Sequence, residues 1–162
     1  MLDDLAGKIL KDVNLDEIAA PPLSQRSPVA HWLQPVLLER AAYLRKMARF
    51  GDGSASETIR ECAQHSVQLV FHSRSSEAHL DQSLAHLMVV LSGAATLVTG
   101  GKIVRPRTGA QGQTLGDAIE GGGEQQLRPG DVVHIPAAIP HQLLIAGDKS
   151  IALLVVKMSE ES

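Results

Sequence analysis

Two histidines and an aspartate lie close together in the middle of the chain. His79 and Asp81 are separated by one residue, and His86 follows just before the apolar run 87–91. Residues two apart on a β-strand point to the same face, so His79 and Asp81 are expected to share one side, and a tight reversal would return His86 to it. His141 ends the run LRPGDVVHIPAAIPH, in which two prolines bend a strand. These four side chains predict one polar site assembled from distant parts of the chain.

The residue types in this site are typical of metal ligands. Three imidazoles and one carboxylate form a borderline N/O donor set, which suits Zn, Fe, Mn, Ni or Cu better than Ca or Mg. We therefore expect a divalent transition metal as cofactor, held by His79, Asp81, His86 and His141. Asp81 has two further interpretations: it orients an imidazole by a hydrogen bond, or it is a turn residue in the sequence Leu-Asp-Gln-Ser.

Other polar residues have two interpretations each. His134 shares strand parity with Val132, so it either lines the cavity as a substrate-binding group or faces solvent. Arg105 and Arg107 lie in a glycine-rich segment, where they either fix a substrate carboxylate or are solvated loop charges. The remaining histidines are expected to be structural residues with hydrogen bonds of their own: His31, His65 and His72.

The elements that must position the site are mostly short strands. Apolar residues recur at helical spacing from residue 33 to 48, Pro35 suits a first turn, and Gly51 marks the end of this helix. Alternation of period two begins at residue 59 and continues through 71. Apolar runs separated by Ser-Gly and Gly-Gly follow, and residues 100–124 are expected to form a long loop or ragged hairpin. The closing strands are expected at residues 132–135, 142–145 and 151–158.

This arrangement predicts an all-β domain, a sandwich or barrel with one helix packed outside. Residues 1–55 are expected to form an N-terminal arm and helix, with a short amphipathic helical face at residues 2–10. Residues 56–162 are expected to form the barrel.

Composition and charge narrow the class of partner. Of 162 residues, 44% are hydrophobic but only 2% aromatic, so aliphatic side chains must fill the core. The net charge is −3 and the 15 basic residues are scattered, which argues against nucleic acid or a membrane surface as partner. Cys62 is the only cysteine and is expected to be a half-buried strand thiol. The sequence has neither the pattern of a signal peptide nor that of a membrane span, so a cytoplasmic protein is expected.

The two histidine segments resemble the cupin superfamily, whose first motif is G(x)5HxH(x)3,4E(x)6G and whose second is G(x)5PxG(x)2H(x)3N. His79, Asp81, His86 and Gly93 fall on the spacing of the first motif. The second motif is matched by Gly130, Pro136 and His141. The departures are Asp81 for the second His, His86 for Glu, Ala138 for Gly, Ile145 for Asn, and Ser73 for the opening Gly.

The resemblance covers about residues 60–157 and implies a small double-stranded β-helix, or jelly-roll barrel, often a homodimer, with the metal inside its mouth. It implies a metal-dependent enzyme acting on a small molecule, such as an oxygenase, lyase or isomerase. The departures from both motifs keep a second hypothesis open: a non-catalytic barrel that binds a small molecule, with a structural metal or none.

Overall fold

The computed structural model describes residues 28–160 of the chain. A boundary between two units falls after His31, and the second unit begins at Trp32. The amphipathic segment expected at residues 2–10 lies outside the described residues. The helix and strands described below all belong to the second unit. None of the helices described is long and apolar enough to span a membrane.

One α-helix and thirteen β-strands form the second unit, within the part of the chain that the structure describes. All strand pairs are antiparallel. The helix is α1 (Gln34–Ala48), and the strands are β1 (Ser54–Glu61), β2 (His65–His72), β3 (Ala78–Leu80), β4 (Leu84–Gly93), β5 (Ala95–Thr99), β6 (Lys102–Val104), β7 (Arg107–Thr108), β8 (Thr114–Gly116), β9 (Ala118–Glu120), β10 (Gly123–Leu127), β11 (Val132–Ile135), β12 (His141–Leu144) and β13 (Ile151–Ser159).

Two sheets enclose the core. One has the order β1-β2-β13-β4-β11, the other has the order β10-β5-β12-β3-β8-β7, and β6 and β9 form a separate pair. The core joins the two main sheets, because Val90 and Leu153 of the first pack with Leu97 and Leu143 of the second. Each large aliphatic side chain that the two sheets bury between them stabilises the fold by roughly 1.5–3 kcal/mol. The prediction of an all-β fold with one helix is confirmed.

Helix α1 covers the outside of the first sheet. Its apolar positions recur at i, i+4 and i+7, so Leu37, Ala41 and Leu44 are buried on one face, which packs against β1 and β2. Pro35 lies in the first turn, where a missing N–H breaks no helical hydrogen bond. The predicted helix is therefore confirmed in its position and its buried face.

One local prediction was wrong, and for another the structure bears out one of two alternatives. The alternation through residues 59–71 is interrupted by a hairpin turn, in which the backbone N–H of Cys62 donates to the carbonyl of His65 at 2.9 Å. Cys62 thus lies in a turn rather than in a strand, although it is partly buried as expected. The segment 100–124 is a ragged hairpin and not a long loop, because it contains the short strands β6 to β9 and the start of β10, and β6 pairs with β9 and β7 with β8. Its glycines allow close packing: a side chain at Gly116 would overlap Ile103.

Candidate metal centre

Strand pairing brings the predicted histidines together from both sheets. β12 and β3 are neighbours in the second sheet, and their pairing sets His141 directly opposite His79. His86 comes from β4 of the first sheet, where it pairs with Ile135 of β11. The ring centroids lie 5.1 Å apart for His79 and His141, 5.0 Å for His86 and His141, and 5.7 Å for His79 and His86. The three imidazoles therefore face one another.

Asp81 completes this group, which we call the four-residue cluster: His79, Asp81, His86 and His141. Its Oδ2 lies 3.9 Å from Nε2 of His79 and 3.9 Å from Nε2 of His86. Its Oδ1 is 3.5 Å from the backbone N–H of Ser83, so the turn after β3 holds the carboxyl group in place. The carboxylate thus lies between two imidazoles that come from different sheets.

The cluster is buried, and three of its polar atoms have no hydrogen-bond partner. Asp81, His86 and His141 are only 6%, 3% and 7% exposed. Nε2 of His79, Oδ2 of Asp81 and Nε2 of His86 are the three unpartnered atoms. Leaving a buried polar atom unpaired costs about 1–3 kcal/mol, so a native structure that concentrates three of them at one point needs an explanation.

His141 is oriented by the backbone. Its Nδ1 lies 3.2 Å from the carbonyl oxygen of Ile139, a geometry that assigns the ring proton to Nδ1. The lone pair is then on Nε2, the other nitrogen of the ring. A hydrogen bond of this kind fixes the tautomer and the direction of a metal-binding imidazole.

The imidazoles of the cluster are neutral at pH 7. Burial, together with the charges of His141 and Lys157, lowers the pKa of His79 to about 4 and that of His86 to about 3. Burial also lowers the pKa of His141, against the opposing effect of its hydrogen bond to Ile139. A metal competes with protons for the lone pair of its ligand, and a neutral imidazole has one ring nitrogen whose lone pair is free.

The donor set and spacing fit a transition metal after a small contraction. In a tetrahedral site with bonds of ~2.1 Å, two ligand atoms stand ~3.4 Å apart. Both Nε2–Oδ2 separations, at 3.9 Å, exceed this by about 0.5 Å. Among the described residues, no group of three or more His, Cys, Asp or Glu side chains could hold a metal ion with the side chains as they stand.

Two positions of the motifs have positive φ. Ala138, which stands where the second motif has glycine, has a φ of 61°, and its N–H donates to the carbonyl of Asp81 at 2.7 Å. This bond ties the bend before β12 to the turn after β3. Gly93, at the end of β4, has a φ of 82°, and a side chain there would overlap the carbonyl oxygen of Ser150. Only glycine fits this position.

Two predicted substrate-binding residues lie outside the cluster. His134 is exposed on the outer side of β11 together with Val132, which is 63% exposed, so the prediction that it lines the cavity is not supported. The side chain of Arg105 is 81% exposed and forms an ion pair with Asp117. Arg107 forms ion pairs with Asp117 and Glu77. The protein's own carboxylates thus already engage the guanidinium groups that were expected to bind a substrate.

Comparison with known proteins was made at the level of families, sequences and structures. No family model and no curated protein sequence matches the chain. Among solved structures, the TT1209 protein of Thermus thermophilus is 17% identical, with 76% of this chain and 95% of that chain covered and a TM-score of 0.53. A cupin-superfamily sugar phosphate isomerase from Silicibacter pomeroyi is 24% identical, with coverages of 72% and 65% and a TM-score of 0.47.

A Klebsiella pneumoniae protein with a double-stranded β-helix domain is 14% identical, with coverages of 65% and 76% and a TM-score of 0.49. The TT1209 likeness and the two facing antiparallel sheets, each of which delivers histidines to the cluster, establish the fold. It is the two-sheet β-barrel that the resemblance to cupins implied. At these identities the likeness concerns the fold and not the activity.

Strand pairing explains why the two motifs meet. The first motif supplies β3, β4 and the turn between them, while the second supplies β11, β12 and the bend between them. This chain keeps a set of three imidazoles and one carboxylate, but Asp81 and His86 exchange the usual places of His and carboxylate. The exchange keeps the donor types and alters their geometry.

The sequence analysis missed one residue beside the cluster, Lys157. It lies on β13 directly opposite His86 of β4. With His86 and His141 it lines a cavity of about 120 Å³, whose apolar walls include Met88 and Val155. A signal was present in the sequence, because Lys157 shares strand parity with Val155, an inward-facing residue.

Proposed function

We propose that the four-residue cluster binds a divalent transition metal and that the protein is a metal-dependent enzyme acting on a small molecule. One observation carries the proposal: three unpartnered buried polar atoms, on His79, Asp81 and His86, face a common point. A cation there would satisfy all three. His141 supplies the fourth donor through its Nε2.

The types of donor atom limit which metals the cluster can bind. Imidazole nitrogens suit Zn, Fe, Mn, Ni and Cu, and a single carboxylate leaves the group too poor in oxygen for Ca. A bound metal would act as a Lewis acid that polarises an oxygen of the substrate. The protein's own part is to hold the four donors, to keep the imidazoles neutral and to limit access of water.

The cavity beside the cluster supports a small substrate. Its volume is about 120 Å³, and Met88, Leu143, Leu153 and Val155 form apolar walls next to His86. Apolar walls lower the local dielectric and strengthen electrostatic interactions at the reacting group. An oxygenase, lyase or isomerase reaction on a small polar molecule is the class of chemistry that we propose.

The experiment is metal binding by purified protein. We expect reconstituted wild-type protein to hold about one metal ion per chain after dialysis, measured by elemental analysis. His86→Leu and Asp81→Ala should each lower the affinity at least about 100-fold, since each removes a ligand. His134→Leu is the matched control, because His134 is exposed and outside the cluster. Wild-type protein that binds no metal on reconstitution would refute the proposal and favour a barrel that only binds small molecules.

A further inference from the structure

Lys157 occupies an unusual place for a lysine. Along β13, Ile151, Leu153 and Val155 alternate as buried core residues, and Lys157 is the next position of the same parity. Strand pairing sets it between Ser66 of β2 and His86 of β4. Lysine is usually exposed, whereas Lys157 is half-buried and lies on the strand face that carries Val155.

No carboxylate of the described residues forms an ion pair with Lys157. Asp81 already lies between two imidazoles, and Glu61 is exposed on β1, across Ser66 from Lys157. Lys157 nevertheless lies beside the cluster, because it pairs with His86 and lines one cavity with His86 and His141. A half-buried cation is therefore directed at the site without a partner of its own.

Two cavities meet at this lysine. The smaller one, about 120 Å³, contains His86 and His141. The larger one, about 290 Å³, has mostly polar walls, and Lys157 and Gln68 line both. The amide and hydroxyl side chains of the larger cavity are Gln64, Ser66, Gln68, Gln111, Gln113 and Ser159. Such groups donate and accept hydrogen bonds, so the larger cavity suits a ligand with several polar groups.

We propose that Lys157 is a positioning residue that binds the oxyanion group, a carboxylate or a phosphate, of a small polar substrate. The polar remainder of that substrate would lie against the amides of the larger cavity. An oxygen next to the anionic group would face the four-residue cluster. This inference rests on the proposed function for its account of what happens at the cluster, but the binding of the anion itself does not require a metal.

The chemistry of lysine supports an anion in particular. An ammonium group is a compact charge with three donors, and charge-assisted hydrogen bonds to oxyanions are about twice as strong as neutral ones. Next to apolar walls the attraction is screened less than on the surface. A purely structural lysine would instead extend its ammonium group into water, and replacing it would not change the binding of anions in the cavity.

The experiment uses glycolate and inorganic phosphate as probes, titrated by calorimetry into chelator-treated and metal-reconstituted protein. Lys157→Met should weaken binding of the preferred probe at least about 10-fold in both forms, whereas Lys157→Arg, which keeps the charge, should stay within about 3-fold of wild type. Lys102→Met, a change of an exposed lysine on β6, is the control and should have no effect. The probe that binds more tightly identifies the anion as carboxylate or phosphate.

The outcomes separate this inference from the proposed function. Equal probe binding by wild type and Lys157→Met, or loss of binding in Lys157→Arg equal to that in Lys157→Met, would overturn the role of Lys157. Metal binding by His79, Asp81 and His86 would be untouched by that result. The converse result is that wild-type protein binds the probe more tightly than Lys157→Met does and yet takes up no metal. That result would overturn the proposed function but support the anion site. Should Lys157→Met fail to fold, Lys157→Gln gives the same comparison.

Discussion

Replacing His86 with leucine should stabilise the metal-free protein, although it removes a buried residue. His86 is 3% exposed, its Nε2 has no partner, and burial lowers its pKa to about 3, so at pH 7 the change removes a neutral, unsatisfied group. An unpaired buried polar atom costs about 1–3 kcal/mol, and an apolar side chain of similar size avoids that cost. We expect the free energy of unfolding to rise by about 1–2 kcal/mol. In a chain of this length, each kcal/mol should raise the melting temperature by roughly 2–4 °C.

The pH dependence sharpens this prediction. The folded pKa of His86 is depressed below its ordinary value of 6.5, so its contribution to stability is present above pH 6.5 and is lost as the pH falls toward 3. Between pH 6.5 and pH 5 the unfolded chain binds a proton that the folded protein rejects, which costs wild type about 2 kcal/mol. His86→Leu lacks this group, so its advantage should widen by a similar amount at pH 5.

The assay is urea unfolding in chelator, followed by circular dichroism at pH 7 and pH 5, with His134→Leu as a control that stays within about 0.5 kcal/mol of wild type. At pH 7, saturating metal should reverse the order, because wild type gains the about 2.7 kcal/mol that a ligand at 100 times its Kd provides, which exceeds the advantage of the variant at that pH. A metal-free His86→Leu protein that is less stable than wild type at both pH values would refute the reasoning.

Three further changes test the backbone and the surface around the site by urea unfolding. Gly93→Ala should lower the free energy of unfolding by at least about 2 kcal/mol more than Gly130→Ala does. Both positions have positive φ, but only at Gly93 would the new side chain overlap the backbone. Equal losses of stability in the two variants would contradict this. Ala138→Gly should raise the free energy of unfolding by about 0.5–1 kcal/mol, since relief of the left-handed conformation exceeds the entropy cost of glycine; a loss would show that Ala138 is unstrained. Arg105→Ala should change stability by less than about 0.5 kcal/mol, because its ion pair is exposed; a larger loss would assign that pair a structural role.

The second motif could be predicted from the sequence because its geometry is local. The turn at Gly130, with a φ of 91°, and the bend at Pro136 follow from the conformational limits of these residues, and His141 then falls at the start of β12. Ala138 adopts positive φ although glycine is absent there, which no local preference of alanine would indicate. The fold imposes this conformation through the hydrogen bond to Asp81.

The strands of residues 100–124 could not be predicted, since each spans only two to five residues. Such short strands carry too few alternations to register as a pattern, and they are stabilised by partners elsewhere in the chain, as β8 is by β3. Glycines that indicate breaks in the sequence are here the positions of close approach. Their role depends on neighbours that only the tertiary structure supplies.

For Lys157 and His134, the sequence does not show which face of the strand points into the barrel. Parity alone places Lys157 with Val155 and His134 with Val132, but it does not say which face of each strand is inside. That depends on pairing: Lys157 lies opposite His86, which faces the cluster, whereas His134 lies opposite Leu87, the next residue of β4 and therefore on the other face. Long-range pairing therefore turned an overlooked lysine toward the site and an expected histidine away from it.

X-ray absorption at the zinc edge of the reconstituted protein tests the central claim most directly. The account predicts a shell of N/O ligands at ~2.0–2.2 Å with outer-shell scattering from about three imidazoles. In His86→Leu the scattering of any metal still bound should correspond to about two imidazoles, and in His134→Leu it should be unchanged. Zinc bound without imidazole scattering, or the same count in wild type and His86→Leu, would contradict a metal centre formed by His79, Asp81, His86 and His141.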